Sequence, residues 1–481
     1  MNWLDSAIAA ISPTAGLRRA QARAAIQAMR SYEAARRGRR TDGWTASGGS
    51  ANAEIAPGLR TLRNRCRSII RDNEYASRAL DAMVAHTVGT GIVARATDQA
   101  RWDAWTQYCD ADGQLDFNGL VELAHRCRRE VGEVLVRFYP RDPEKYEIPL
   151  QIQVIEPDLL DESRIGPMEN GNFAVLGVEY DINTFQRVAY WLYDHHPEEV
   201  AGWRMRTLIS KRVPATEVLH YYRKRRPTQA RGVSEFATAL LRIRDFADYQ
   251  LAQLVLKKMQ SCFVAFVRSE DDSASLGTVD ATQSPRQEKL SPGMIKYLRN
   301  SEQVTFGAPS VGGDDTSYTS AQLHAIAAGC GSTYEDMTGD YSQFTFSSAR
   351  ASKLAYRALI EQEQWLALVP MLLNPIAERV QRTAWMAGKA RGRPKPFGWT
   401  MPRLQLVDPL KEALGIKELI RGGLMSLPEA IRELGYDPEE VAREGGDYKK
   451  ILAQHGIVVD TDAAVSEGLT KSGIAPQLSQ D

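Results

Sequence analysis

No run of apolar residues in this 481-residue chain approaches the ~18 that a membrane-spanning helix needs, and the first residues lack the apolar core of a signal peptide. A protein made and used in the cytoplasm is the expectation. There are only five cysteines, Cys66, Cys109, Cys127, Cys262 and Cys330, far apart and without a C-x-x-C pair, so they read as reduced thiols and not as a disulfide framework or a metal site. An excess of charge is missing too. Lys plus Arg and Asp plus Glu both number 60, a formal net charge of +0, which argues against a protein that grips nucleic acid with one large basic face. Neither G-x-x-x-x-G-K-[ST], H-E-x-x-H nor G-x-S-x-G occurs, which leans away from a P-loop motor, a zinc protease or a serine hydrolase, and from an enzyme in general. Charged residues at 25% and hydrophobic ones at 43% are ordinary for a folded protein, and the length suggests about two to four structural units.

What is present is an ordered change of pattern. Residues 1–52 are basic, with Arg18, Arg19, Arg23, Arg36, Arg37, Arg39 and Arg40, and run into a Gly/Ser/Ala linker, Ala46 to Ala53; they read as a solvated arm or as an arm contacting DNA or a partner. From Leu59 the spacing predicts a helix with Leu62, Cys66, Ile69 and Ile70 on one face and Arg60, Arg63, Arg65, Arg67 and Arg71 on the other. A second helix is expected over about Asn73 to Val88, stopped at Gly89-Thr90-Gly91, and a third over Leu115 to Val131. The period then becomes two: Val134, Val136 and Phe138, then Ile152 and Val154, with further strands at Val178–Tyr180, Val188–Tyr193 and Val218–Tyr222. A basic loop, Arg223-Lys224-Arg225-Arg226-Pro227, precedes a long helix over about Val233 to Gln260, nearly ~40 Å at ~1.5 Å per residue, a strut more than a core element. Alternation returns at Phe263, Ala265 and Val267, then polar loops surround a mixed stretch from Met294 to Phe306, and a short helix is expected over Ser320 to Ala328. A hydroxyl-rich turn, Phe344-Thr345-Phe346-Ser347-Ser348-Ala349-Arg350, opens another long helix. Ser347 or Ser348 is the expected cap, Leu354, Ala358, Glu361, Trp365, Leu368 and Leu372 the expected face, and Pro370 and Asn374-Pro375 the expected break. Phe397 to Leu406 reads as short and extended. Helices over Pro409–Arg421 and Leu427–Leu434 follow, a further one begins at Pro438, and the last ~20 residues read as a disordered tail.

Candidate chemistry is sparse. Asp110-Ala111-Asp112-Gly113 starts like a calcium loop, but its glycine comes too early and the distal glutamate is missing, so it reads as a turn. His195-His196 sits in a polar loop, where adjacent histidines seldom ligate a metal. Asp314-Asp315 beside Gly312-Gly313 could form half of a two-metal site, but it reads first as a solvated loop tip. Glu335, Asp336 and Asp340 flank a loop with no His or Lys near in sequence. The order from Gly329 to Tyr341 is helix, flexible segment, acidic-aromatic turn, helix, as in an ordinary helix connection or in a mobile loop carried by two struts.

Several long segments together are similar to the lambda-like family of tailed-phage portal proteins. They are RCRSIIRDNEYASRALDAMVAHTVGTGI from Arg65 to Ile92, QVIEPDLLD from Gln153 to Asp161 and GVEYD from Gly177 to Asp181. RPTQARGVSEFATALLRIRDFADYQLAQLVLKKMQSCFVAF from Arg226 to Phe266 and YEDMTGDYSQFTFSSARASKLAYRALIEQEQ from Tyr334 to Gln364 complete the set. The resemblance runs from about residue 59 to about 440. It implies an α+β portal fold assembled as a dodecameric ring at one capsid vertex, without catalysis, cofactor or metal. Its partners would be double-stranded DNA passing without sequence specificity, the terminase large subunit, a head-tail adaptor, and the major capsid and scaffolding proteins. The place would be the virion, after assembly in the host cytoplasm. The regions it implies are a wing over 53–232, a stem helix over 233–262, a clip over 263–317, a second stem helix over 318–337 and a tunnel loop over 338–348. A long kinked helix over 349–388, a wing return over 389–408, a crown over 409–455 and a tail over 456–481 follow. Asp340, Tyr341, Ser342, Gln343, Phe344 and Thr345 would then face the channel, a loop of soft contacts without fixed positive charge. Arg223, Lys224, Arg225 and Arg226 would face DNA, capsid protein or neither. The alternatives are a metal-dependent nuclease or terminase-type enzyme using Asp314, Asp315 or Glu335, and a tail adaptor, which the length disfavours.

Overall fold

The computed structural model describes residues 12–15, 17–19, 21–22, 39, 42–199, 209–261, 265–269, 302–306, 315–342, 345–390, 395–402, 408–455 and 457. Most of the basic arm, most of the expected clip, Gln343, Phe344, Asp314 and the tail beyond Ile457 lie outside them. Residues 1–54 and 55–481 form two compact units. In the first, residues Trp44 to Ser50 carry no regular secondary structure. Among the described residues no helix is long and apolar enough to cross a membrane.

The second unit opens with helix α1, Leu59–Asp72, and α2, Glu74–Val88. One extended residue, Asn73, separates them. Its amide closes α1 on the Ile69 carbonyl and its side chain accepts from the Ala76 amide at 2.9 Å, so a single asparagine is both stop and start. Strand β1, Val93–Arg95, follows Gly91, which sits at φ +130 against Asn118. Helix α3, Gln99–Thr106, carries the buried Trp102 and Trp105, and α4, Phe117–Val131, ends at Gly132 in the left-handed region, φ +101. The sequence reading missed α3, because Trp102 and Trp105 at i, i+3 are too few to set a period.

Strand β2, Glu133–Pro140, is the middle of a three-stranded antiparallel sheet between β3, Leu150–Ile155, and what becomes β9. A five-stranded antiparallel meander intervenes: β4, Gly166–Pro167; β5, Phe173–Val175; β6, Val178–Tyr180; β7, Arg187–Leu192; and β8, Lys211–Pro214. Then β9, Val218–Tyr222, returns to β2 with Leu135 opposite His220. Val134, Val136 and Phe138 join the helical core, while Leu135 joins Leu160, Val178, Tyr190 and Val213 on the other side. Strand β2 is therefore buried on both faces along its first half, with Glu133 and Arg137 in the strand.

Val233 does not start a helix. A 3-10 turn, Glu235–Thr238, capped by Ser234, comes first, and α5 is Leu240–Ser261. The delay has a steric cause. Gly232 lies so close to the Gly132 carbonyl that an added Cβ would stand 2.1 Å from its oxygen, and this crossing holds the chain extended. Strands β10, Ala265–Ser269, and β11, Glu302–Phe306, pair antiparallel. Helix α6, Asp315–Cys330, is longer than the expected Ser320–Ala328, and α7, Tyr334–Thr338, is a single turn. Cys66, Leu80, Met83, Phe236, Ile243 and Ile326 make the core where α1, α2, α5 and α6 meet. The expected strut is thus core at its base and bare beyond, with Leu251 61% exposed.

Helix α8, Phe346–Glu363, is capped by Thr345. Its hydroxyl accepts from the Ser348 amide at 3.3 Å, while the Ser348 hydroxyl accepts from the Thr345 amide at 3.0 Å. Ser348 is therefore the third helical residue of a capping box and Ser347 is not the cap, a correction of one turn position. Nor do the prolines break the helix. Residues Gln364–Leu373 widen into a π-helical segment that absorbs Pro370, and α9, Asn374–Met386, continues with Pro375 in its first turn. The wider turns rotate the faces. Leu354 and Trp365 of the expected stripe are exposed, Leu368 and Leu372 are buried, and the buried side of α8 is Tyr356, Ile360 and Glu363. Strand β12, Gly398–Thr400, then pairs antiparallel with β1. Helices α10, Pro409–Arg421, α11, Leu427–Glu433, and α12, Pro438–Gln454, complete the described chain.

Candidate functional site: a buried arginine junction and the loop ahead of α8

Positions 121, 124, 125, 128 and 131 form the inward stripe of α4, and position 128 is an arginine. A buried guanidinium needs carboxylates, and two distant elements supply them. Arg128 donates to Glu235 Oε1 at 2.7 Å and to Glu363 Oε1, and Arg129 donates to Glu235 Oε2. The C-terminal end of α4, the turn before α5 and the last residue of α8 are thereby tied at one point. Burial alone would push the Glu235 carboxyl up; Arg128 and Arg129 overcome it and hold the group at about 2. His125 lies among these cations. It accepts at Nε2 from Arg129 Nε, 3.3 Å away, and faces the Tyr221 hydroxyl with Nδ1, 3.0 Å away. Burial first, then Arg129 and Arg128, push its pKa far below the ordinary value.

A second junction surrounds Glu133 at the start of β2. Its carboxylate accepts from Arg231 Nε at 2.9 Å, from the Gly232 amide at 2.7 Å and from His220 Nε2 at 3.0 Å, with Arg231 Nη2 ion-paired 2.6 Å away. His220 Nδ1 is 3.5 Å from Arg187 Nη1, so the neutral Nε2–H tautomer satisfies both sides. Burial lowers His220 to about 4 despite its carboxylate. Burial would raise Glu133, but Arg231 and His220 hold it well below the carboxylate range.

The arginines expected to line the solvent face of α1 divide. Arg63 turns inward to Asp158 at 3.0 Å and Glu162 at 2.7 Å, and Arg67 meets Asp158 at 2.6 Å. The acidic segment from Glu156 to Glu162 is thus the counter-charge of α1. Glu156, Asp158 and His196 are also the trio whose ligand atoms lie close enough for a cation among the described residues. The fit is poor, because Arg67 occupies Asp158 and His196 Nδ1 accepts from the Glu198 amide at 3.1 Å, which leaves a proton on the nitrogen facing Glu156. His195 is not part of the trio. Asp110 is the turn it was read as, accepting from the amides of Asp112, Gln114 and Leu115 at 3.0 Å each.

The basic loop is partly spent. Arg223 donates to Glu363 Oε2 at 3.2 Å and to Gln362 Oε1 at 3.3 Å, making it a third cation of the first junction. Gln229 accepts from the amides of Arg225 and Arg226 at 2.9 and 3.1 Å and fixes the turn. The side chains of Lys224, Arg225 and Arg226 are exposed.

In the loop ahead of α8, Asp340 accepts from the Ser342 amide at 2.9 Å and from the Tyr334 hydroxyl at 3.1 Å, and the first of these chiefly keeps its pKa low. Tyr341 is exposed, Ser342 is exposed, and Thr345 is engaged as the helix cap. The loop's base is held by α7. Tyr334 stacks on His324 at 4.1 Å, and Asp336 meets His86 Nε2 at 3.2 Å. Burial would raise Asp336, but the hydrogen bonds from His86 and Thr333 lower it. Of the acidic residues weighed for a nuclease, Glu335 sits in the first turn of α7 and Asp315 opens α6; neither belongs to the cation-spaced trio.

Comparison with known proteins places this arrangement. The family model described as phage portal protein, lambda family, matches residues 37–364. A probable portal protein of Halomonas phage phiHAP-1 is 26% identical over 445 residues, covering 86% of this chain and 85% of that one. The portal protein of Escherichia phage N15 is 24% identical with 86% of each covered, and portal protein B of Escherichia phage lambda is 22% identical with 85% of each covered. Among solved structures, the neck of a native GTA particle computed with C12 symmetry matches at a TM-score of 0.47 and 14% identity, over 79% of this chain and 94% of that one. With a family model matched across both arginine junctions, the chain belongs to the lambda family of phage portal proteins.

Proposed function

We propose that about twelve copies close into a ring around an open channel at one capsid vertex, through which double-stranded DNA enters and leaves. The observation that carries this is the family match from residue 37 to residue 364. The ring docks the terminase large subunit and later a head-tail adaptor at the clip, residues 263–317, and meets capsid and scaffolding proteins through the wing, residues 53–232. It is assembled in the host cytoplasm and resides in the virion. The stem helices are α5 and the second stem segment, residues 318–337, which spans most of α6 and reaches into α7; residues 409–455 are the crown, and residues 338–348 are the tunnel loop.

The chemistry of the loop supports that role. A channel for a moving polyanion must not hold phosphate. Asp340, with its carboxylate kept ionised, repels it, and Tyr341, Ser342, Gln343 and Phe344 offer only soft contacts. A weak contact repeated once per subunit adds up around the ring. Of the basic loop, the exposed Lys224, Arg225 and Arg226 are the contacts for DNA or capsid, and Arg223 turns to Glu363.

Native mass measurement of the purified chain tests the ring, with about twelve times 53.6 kDa expected. Deleting Tyr341 to Phe344, which spares the Thr345 cap, should leave that mass unchanged and cut packaged or retained DNA at least about tenfold, since each ring loses its whole set of weak contacts. Rings that fail to form after the deletion would show that the loop belongs to the subunit contact instead.

A further inference from the structure

We infer that the three-helix unit at residues 409–455 completes its core against a second copy of this chain, with α12 of one subunit seated antiparallel along the α10–α11 groove of its neighbour. The inference rests on the ring reading above. Its starting point is a deficit. The unit buries only Ala430 and Leu452 among its residues, while nine of its large apolar side chains are 38 to 80% exposed. Its substantial contacts within the chain are α10 with α11 and α11 with α12. Three amphipathic helices cannot hold together on two buried residues, and the apolar area they leave in water is of the size that marks a contact site. The exposed side chains add up to roughly the ~800 Å² per partner that a specific interface buries.

The charge pattern selects the occupant. Between α10 and α11 lies an open groove of about 410 Å³, lined by Ala413, Ile416, Ile420, Leu427 and Leu434 and edged by Lys417 and Arg421. Along one stripe of α10 the order is Leu410, Leu414, Lys417, Arg421: apolar first, cationic last, Arg421 sharing its charge with the exposed Glu418 of its own helix. Helix α12 presents the opposite order, with Glu440 and Glu444 early and Tyr448 and Ile451 late. Laid antiparallel, α12 sets its carboxylates against Lys417 and Arg421 and its Tyr448 and Ile451 against Leu410 and Leu414. Leu410 and Leu414 lie outside the groove's lining, so α12 packs along the α10 stripe that borders the groove, as an amphipathic helix does on an apolar edge. Because α10 meets α12 and not itself, the contact is heterologous and propagates from copy to copy, as a closed ring requires.

The test is a charge exchange in the full-length chain, read by hydrogen exchange on assembled protein. Lys417→Glu with Arg421→Glu should speed amide exchange in α10 and α12 at least about tenfold, with α4 and β2 unchanged as the sign of an intact subunit. Adding Glu440→Lys and Glu444→Lys to the same chain should restore the protection. Unchanged exchange in the first variant, or no restoration in the second, overturns the inference while leaving the ring standing. A wild-type chain that stays monomeric overturns the ring reading itself, and this inference with it.

Discussion

At the scale of single residues, the molecule is organised by buried cations with shared counter-ions. Glu363 serves Arg128 and Arg223, Glu235 serves Arg128 and Arg129, and Glu133 serves Arg231 beside a neutral His220. Each carboxylate joins elements far apart in sequence, so losing one partner strands a buried charge and not merely a contact. His220 makes this measurable. Its folded pKa of about 4 lies below the ordinary 6.5, so as pH falls the unfolded chain takes the proton first. The resulting stability is whole above about pH 6.5 and is lost as pH falls to about 4, a change of up to about 3 kcal/mol. Urea unfolding at stepped pH should show that slope, and His220→Gln should flatten it; an unchanged slope in the variant would assign the titration elsewhere. Little of this was legible in the sequence. Arg128 stands on the inward stripe of α4, and Glu363 follows Tyr356 and Ile360 on that of α8, but periodicity counts apolar residues and passes over a charged one. The motif GVEYD was recognised as a string before its parts had meaning. In the fold, Gly177 at φ +89 lies so close to the Asp161 carbonyl that an added Cβ would stand 2.7 Å from its oxygen, and Glu179 receives Arg212 at 2.9 Å.

At the scale of elements, some helix ends and the strands β2, β3, β6, β7 and β9 were legible, while β4, β5, β8, the cap of α8 and the joints were not. Asn73, Gly132 and the alternation of β2 speak through local chemistry, which a sequence displays. The start of α5, the missing break at Pro370 and the bare face of α8 depend on what lies across the fold. The Gly132–Gly232 crossing is the sharpest case, because two backbones there approach more closely than any side chain permits. Gly232→Ala would place a Cβ 2.1 Å from the Gly132 oxygen and 2.8 Å from Glu133 Cβ. Backbone on one side cannot yield cheaply, so a loss of at least about 3 kcal/mol is expected. Alanine at Gly113, a left-handed loop position with nothing nearby, is the comparison and should cost only about 1 kcal/mol, from backbone strain alone. Equal melting points for the two variants would mean that the crossing is looser than the geometry says.

At the scale of the whole molecule, balanced charge and consumed arginines point the same way. Sixty cations meet sixty anions, and Arg63, Arg67, Arg128, Arg129 and Arg231 are turned inward onto carboxylates. Those five guanidiniums are spent inside the subunit and do not neutralise phosphate, which suits the DNA channel proposed above. The consequence is a weak dependence of DNA affinity on salt. Each phosphate neutralised contributes about −0.9 to the slope of log K against log salt. A subunit whose exposed basic loop offers Lys224, Arg225 and Arg226 at most should therefore give a slope no steeper than about −3 per subunit contacted. Fluorescence anisotropy of a short duplex titrated with the assembled protein between about 50 and 200 mM salt measures it, the range over which such slopes are well resolved. A slope of about −6 or steeper for a duplex short enough to touch one subunit would require a basic surface beyond that loop, and the basic segment from Arg18 to Arg40 would be the next place to neutralise.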